Sequence, residues 1–177
     1  MIGQFGIFEI NPIQKHDAWK VCDFIVANAD RLKPFFPKTL EQNLNPTLSQ
    51  YFVEKKAKQF SNKEEFLFTL KHSETREIVG LIYIKELDWQ KKQGEFAYCI
   101  GYQFEGQNIT SKTVKELSNH AFETLGLKTL QIIVHKTNTG SVKVAKNNDF
   151  KWVKTLEKAF TPTNEAPIDM ELYELYK

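Results

Sequence analysis

Between Glu65 and Gly101 the chain carries three stretches rich in β-branched and aromatic residues, EFLFTLKH, EIVGLIYIKEL and GEFAYCIG, with only the short spacers SETR and DWQKKQG between them. Runs of this length, bounded by polar turn residues, form strands. Spacers this short make consecutive antiparallel hairpins the economical reading. A strand meander in the middle of the chain constrains everything around it, because its apolar faces have to be covered.

The flanks supply that cover. FGIFEI alternates as a first strand, and HDAWKVCDFIVANADRL reads as an amphipathic helix with Trp19, Val21, Cys22, Ile25 and Val26 toward one side. The prolines of KPFFPK end it. TLSQYFVEKKAKQFSNK is a second helix, with Leu48, Phe52 and Phe60 apolar among lysines and Asn45-Pro46-Thr47 as its start signal. After the meander, Ser111 to Leu125 places Val114, Leu117, Ala121, Phe122 and Leu125 on one helical face, and Gly126 supplies the stop. LKTLQIIVH is the next strand, SVKVAKNN a short helix, and KWVKTLEKAF and DMELYELY the last two strands. This order predicts an α/β (α+β) chain built on a sheet of mixed direction.

At 177 residues, 41% of them hydrophobic, the chain is long enough for one full core and short for two ordinary domains. No repeat, low-complexity tract or Gly/Ser/Pro-rich linker divides it, so a single domain over 1–177 is expected. The net charge is +2, with lysines and acids scattered and no basic stripe, which argues against nucleic acid as the main partner. Cys22 and Cys99 show neither CxxC nor Cys/His ligand spacing, and a reducing cytoplasm suits them. The four histidines, His16, His72, His120 and His135, lack metal-ligand spacing, so no metal is expected. No signal-like or membrane-spanning run is visible, and no membrane partner is expected.

Several motifs, taken in order, resemble the GCN5-related N-acetyltransferases, and most closely the branch that acetylates the N-termini of ribosomal proteins. NADRLKPFFP, Asn28 to Pro37, is similar to that branch's early helix-ending motif. EIVGLIYI and GEFAYCIG are similar to its second hairpin strand and to the strand before the cofactor loop. NTGSVKVAKNNDF carries the Asn-x-x-Ser helix start, with Asp149 where the family usually has Gly, and DMELYEL the closing Asp-x-x-x-Tyr-x-Leu strand. The resemblance covers nearly the whole chain. It implies a mixed, mostly antiparallel central sheet with helices on both faces, and acetyl-coenzyme A as co-substrate.

The family's cofactor motif, Gln/Arg-x-x-Gly-x-Gly/Ala, falls on Glu105, Gly106, Gln107, Asn108, Ile109 and Thr110, and three of its defining positions differ. Such a loop aims backbone NH groups, backed by the positive end of the next helix, at a pyrophosphate. Asn108 is a tolerable substitute for Gly because Asn enters left-handed conformations readily. Thr110 is placed to cap the helix. Glu105 puts a carboxylate near the pyrophosphate, which repels it unless the side chain faces solvent or pairs with Lys112 or another cation.

The resemblance also implies roles. Glu95, at the head of GEFAYCIG, is the candidate base, with a solvated strand-end glutamate as the alternative. Ser141 is the candidate acid for the departing thiolate or a pantetheine contact, and helix capping explains it equally well. Asn138 is a cofactor contact or a turn-forming Asn. Cys99, Ile100 and Gly101 would offer backbone groups to the pantetheine arm. Cys99 is a buried thiol, since no partner His is indicated. Tyr173 is a core aromatic. Phe35 and Phe36 line an acceptor cleft or pack in the core. Thr113 to Glu116 fits a capping box.

A protein α-amine titrates at about 7.7 to 8, against about 10.4 for a lysine, so a glutamate base suits the α-amine. The acceptor is therefore expected to be a protein N-terminus. A small amine (a polyamine or an amino-sugar antibiotic), or a non-catalytic binding module, stays open, as does pairing of two copies into a homodimer.

Overall fold

The structure is a computed structural model that describes residues 1–177. In chain order it holds β1 (Gly3–Phe5), β2 (Phe8–Pro12), α1 (Ala18–Ala27), α2 (Ala29–Leu32), α3 (Pro37–Glu41), α4 (Pro46–Ser61), β3 (Phe66–His72), β4 (Ile78–Asp88) and β5 (Gln93–Ile100). Then come α5 (Ile109–Glu123), β6 (Thr129–Val134), α6 (Thr139–Asn147), β7 (Lys151–Phe160) and β8 (Ile168–Tyr176). The strands are hydrogen-bonded in the order β1-β2-β3-β4-β5-β6-β8-β7. The pairs β1/β2, β2/β3, β6/β8 and β7/β8 are antiparallel, and β5/β6 is parallel. The α/β class with a mostly antiparallel sheet is thus as the sequence predicts.

Two compact units divide the residues: 1–83 with 98–105, and 84–97 with 106–177. In the first unit the segment read as one strand, FGIFEI, is instead a hairpin. Gly6 at φ +53 breaks the run, and Gly3 to Phe5 folds back on Phe8 to Ile10. Only Gly enters that backbone region without a Cβ penalty.

Helix α1 buries Ala18, Val21, Cys22, Phe24 and Ile25. Trp19 and Val26, expected on that face, are 68% and 50% exposed. Phe24 takes the inward place. Asn45 caps α4 by accepting from the Leu48 NH at 2.9 Å, with Pro46 at the first turn, as the Asn-Pro-Thr signal predicts. Phe60 near the end of α4 meets Phe66 and Phe68 of β3 edge-on, at 4.9 and 5.3 Å between centroids.

Every residue from Phe66 to Lys71 in β3 is buried, Lys71 included. Its ammonium reaches the Asp17 carboxylate at 2.5 Å, and the other Asp17 oxygen accepts from the Gln14 NH at 3.0 Å. The side chains are 3% and 1% exposed, so each charge depends on the other for its solvation.

In the second unit β5 and β6 run side by side from Gln93↔Thr129 to Phe96↔Ile132, and β5 continues to Ile100 beyond that register. Gly94 sits where a Cβ would meet Ile84, Leu87 and Leu127 side chains at 2.9 to 3.2 Å, a closeness only Gly allows. The alternating burial of β6 turns Leu130, Ile132 and Val134 inward and leaves Thr129, Gln131 and Ile133 half-buried. Strand β8 lies between β6 and β7, and β7 ends the sheet almost wholly exposed.

Helix α5 starts at Ile109, two residues before the expected Ser111, and its N-cap is Asn108 in the left-handed conformation (φ 60, ψ 15). Thr110 is therefore inside the first turn and is not the cap. Thr113 does not open a capping box either. It lies mid-helix, fully buried, and its hydroxyl donates to the Ile109 carbonyl at 2.9 Å. Gly126 at φ +75 turns the chain beyond the helix end, as expected.

Two stability changes follow. Lys71→Met leaves Asp17 as a buried unpaired charge and lowers unfolding free energy by about 3 to 5 kcal/mol, and adding Asp17→Asn restores much of it. Urea titration of the three proteins checks this, and a silent single substitution would refute it. Asn108→Val forces a β-branched residue into the left-handed region and costs about 1 to 2 kcal/mol, whereas Asn108→Gly costs nothing. Equal midpoints for these two variants would contradict the assignment.

Candidate active site

The loop that the sequence assigns to the cofactor begins where β5 ends. Gly101 NH donates to the Val79 carbonyl at 2.8 Å, and a single 3-10 turn, Tyr102–Phe104, follows. Asn28, at the end of α1, holds that turn. Its side-chain amide donates to the Phe24 carbonyl at 2.8 Å and its oxygen accepts from the Tyr102 NH at 3.1 Å. Asn28 is buried, so both its polar ends need these partners. The early motif and the cofactor loop, read separately in the sequence, are joined here.

Glu105 ends that turn, and its carboxylate pairs with the Arg31 guanidinium. The partner is Arg31 and not Lys112, the cation nearest in sequence. The missing sign in the sequence reading was distance: Arg31 stands 74 residues away.

Beyond Glu105 the backbone takes positive φ at Gly106 (+72) and again at Asn108 (+60). Asn108 thus adopts the turn that Gly takes in the family motif. Alternation of left-handed and ordinary residues points successive NH groups into one concavity, which suits an anion. A Cβ on Gly106 would meet nothing within 4 Å, so that side of the loop is open to a ligand. Thr110 is the second helical residue, and Ile109 is buried beneath. The loop therefore fits a pyrophosphate, with Gly106 to Thr110 supplying NH groups at the start of a 15-residue helix.

Asn138 caps α6: its side-chain oxygen accepts from the Ser141 NH at 3.2 Å. Asn138 supplies the side-chain cap of α6, and Ser141 lies on the first turn of that helix. Asp149 after that helix is left-handed at φ 63, as its replacement of Gly requires.

Glu95 is on β5 opposite Gln131, its side chain 14% exposed, with the Lys85 ammonium at 3.2 Å. Burial pushes the carboxyl above its usual range. Lys85 opposes that shift, and Glu86 adds to it. Glu95 is thus half-buried and paired with Lys85 rather than freely solvated. A carboxylate with a raised pKa is a better proton acceptor near neutral pH than an ordinary one. Sequence reading found Glu95 but not Lys85, whose place beside it depends on how β4 lies against β5.

Cys99 is a free, half-buried thiol with its proton firmly held. Burial pushes its thiol up to about 12, although Arg31 exerts a small opposite pull. Its carbonyl lies 3.0 Å from where a Gly80 Cβ would be. Phe36 stacks on Tyr83 at 6.4 Å and 25°, while Phe35 is 38% exposed. Tyr173 is buried, as a core aromatic should be. The first unit also holds a cavity of about 280 Å³ lined by Phe24, Asn28, Val79, Gly101 and Phe104 among others, with neither Glu95 nor Ser141 in its wall. No group of His, Cys, Asp and Glu is arranged to hold a metal ion, and no helix is long and apolar enough to cross a membrane.

Comparison with known proteins places this geometry. The chain is 24% identical over 110 residues to the uncharacterized N-acetyltransferase p20 of Bacillus licheniformis, a match that spans 62% of this chain and 61% of that relative. Its fold is similar to ribosomal-protein-S5-alanine acetyltransferase from Vibrio fischeri, with a TM-score of 0.91 at 18% identity over 98% of this chain and 95% of that one. It is also similar to the ribosomal L7/L12 alpha-N-protein acetyltransferase RimL in complex with coenzyme A, with a TM-score of 0.89 at 16% identity over 99% of this chain and 97% of that one. Residues 8–151 match the acetyltransferase (GNAT) domain, and the chain belongs to that family.

Proposed function

We propose that this protein is an N-acetyltransferase that moves an acetyl group from acetyl-coenzyme A to a primary amine, with the N-terminal α-amine of a protein as the favoured acceptor. The observation that carries the reading is the buried Glu95 carboxylate with its raised pKa, on the strand that leads into a loop shaped for a pyrophosphate. Likeness in fold to a ribosomal-protein-S5-alanine acetyltransferase and to a ribosomal L7/L12 alpha-N-protein acetyltransferase supports the choice of acceptor.

When bound, acetyl-coenzyme A supplies the activated acetyl group and a thiolate leaving group. Gly106 to Thr110 would hold its pyrophosphate through backbone NH groups, and the backbone of Cys99, Ile100 and Gly101, through groups other than the Gly101 NH, would line the pantetheine arm. Glu95 accepts the proton of the attacking ammonium, and Ser141 returns a proton to the departing sulfur. The nitrogen loses a second proton as the amide forms, and this proton restores the Ser141 hydroxyl; the thiol keeps the proton given by Ser141, and Glu95 releases the first to solvent, so each turnover yields one proton net. An α-amine, at about 7.7 to 8, asks less of a glutamate base than a lysine does. Phe35 and Phe36 contribute apolar wall for the acceptor.

The binding test is thermal unfolding with acetyl-coenzyme A, where ligand at one hundred times its dissociation constant adds about 2.7 kcal/mol. Thiol release is then followed with peptide N-termini, polyamines and amino sugars. Stabilisation without release from any amine supports the non-catalytic binding module instead, and faster release with a small amine displaces the protein acceptor.

The pH profile isolates the base. Glu95 works only when ionised, so kcat/KM falls as pH drops through its raised pKa. Lys85→Met removes the charge that opposes that rise and shifts the acid limb to higher pH. Glu95→Gln lowers kcat by about 10²-fold or more at unchanged cofactor affinity. Full turnover in Glu95→Gln would reject Glu95 as the base.

A further inference from the structure

Two single helical turns face each other across two rungs in the first unit. Tyr102 NH meets the Asn28 oxygen on one rung and Arg31 meets Glu105 on the next, with a separation of 74 residues in both cases. The rungs are in step because each side advances by one turn. Arg31 NH donates to the Asn28 carbonyl at 3.0 Å, and Glu105 NH to the Tyr102 carbonyl at 3.3 Å.

The rungs differ in kind. In the Asn28 rung a buried side chain, anchored on the Phe24 carbonyl, accepts one bond from the Tyr102 NH, which fixes the spacing of the two turns. The Arg31 rung is open to water, with side chains 35% and 57% exposed. An exposed ion pair of this sort adds little to stability. Its place in the chain matters more, since Glu105 directly precedes Gly106, the first left-handed residue of the loop. The segment from Gln103 to Thr110 contains no cation of its own.

We propose that Arg31 is an anion-binding residue of the cofactor loop and that Glu105 is its resident competitor, displaced when a phosphate group of coenzyme A arrives. The proposal rests on the acetyl-coenzyme A reading given above. A guanidinium fork bonds a carboxylate and a phosphate in the same planar geometry, and the more highly charged phosphate is the stronger partner. Glu105 holds the fork in place before the ligand arrives. The buried Asn28 rung keeps Arg31 at the loop after the exchange. Arg31 also acts electrostatically on Cys99 at the end of β5, so its charge reaches the strand end as well as the loop.

Calorimetric titration of coenzyme A into the full chain tests this with Glu105→Gln, Arg31→Gln and the double substitution. Glu105→Gln frees the fork and tightens binding several-fold. Placing Arg31→Gln in the Glu105→Gln background, where no carboxylate is left to neutralise, weakens binding by about tenfold. Arg31→Lys in the same background keeps charge but not the fork and falls between. Ligand-free thermal unfolding of each variant verifies that it is folded.

Dephospho-coenzyme A distinguishes the phosphates. A loss with both ligands assigns the pyrophosphate, and a loss with coenzyme A alone assigns the 3′-phosphate. Equal affinity of Glu105→Gln with and without Arg31 overturns the proposal, because Arg31 would then serve only to neutralise Glu105. Failure of the wild-type protein and Glu105→Gln alike to bind coenzyme A overturns the acetyl-coenzyme A reading itself.

Discussion

Most of strand β3 and the first seven residues of β4 have no solvent face. From Phe66 to Lys71 and from Ile78 to Ile84 every side chain is buried, whichever way it points. A strand covered on both sides cannot belong to a two-layer sheet with one wet face, so helices have to bracket it. That demand explains the long run of helices ahead of β3, whose α4 packs its Phe60 ring on Phe66 and Phe68. It also explains why Lys71, caught in the covered region, comes with its own carboxylate in Asp17.

The same accounting separates two glutamates that look alike in sequence. Glu95 and Glu105 each have a basic neighbour, but burial raises the proton affinity of Glu95, whereas Glu105 is open to water beside Arg31. It is environment that makes Glu95 the proposed proton acceptor and Glu105 the proposed competitor for Arg31. Neither role is visible from residue type.

Legibility in the sequence followed the range of the interactions. Strand and helix positions, the Asn45 start of α4, the left-handed Asn108 and Asp149, and the stop at Gly126 all depend on residues within a few positions of each other. These were readable. Trp19 and Val26 were assigned inward because periodicity alone cannot tell which of two adjacent stripes meets the core, and Phe24 turned out to fill it. The break of FGIFEI at Gly6 was a local signal that the alternating pattern masked. The partners Lys85 for Glu95 and Arg31 for Glu105 need the tertiary fold, and no local pattern announces either.

The inert thiols carry a consequence for life with a sulfur-bearing cofactor. Thiol–disulfide exchange requires a thiolate to attack or to be captured. Cys22 is buried with its Sγ 3.6 Å from the Asn43 carbonyl, and the Cys99 thiol holds its proton far above neutral pH. Neither side chain is suited to forming a mixed disulfide with free coenzyme A. A chain that releases a thiol with every turnover would thus be spared capture by its own product, and an oxidising shift in its surroundings would leave its sulfurs silent.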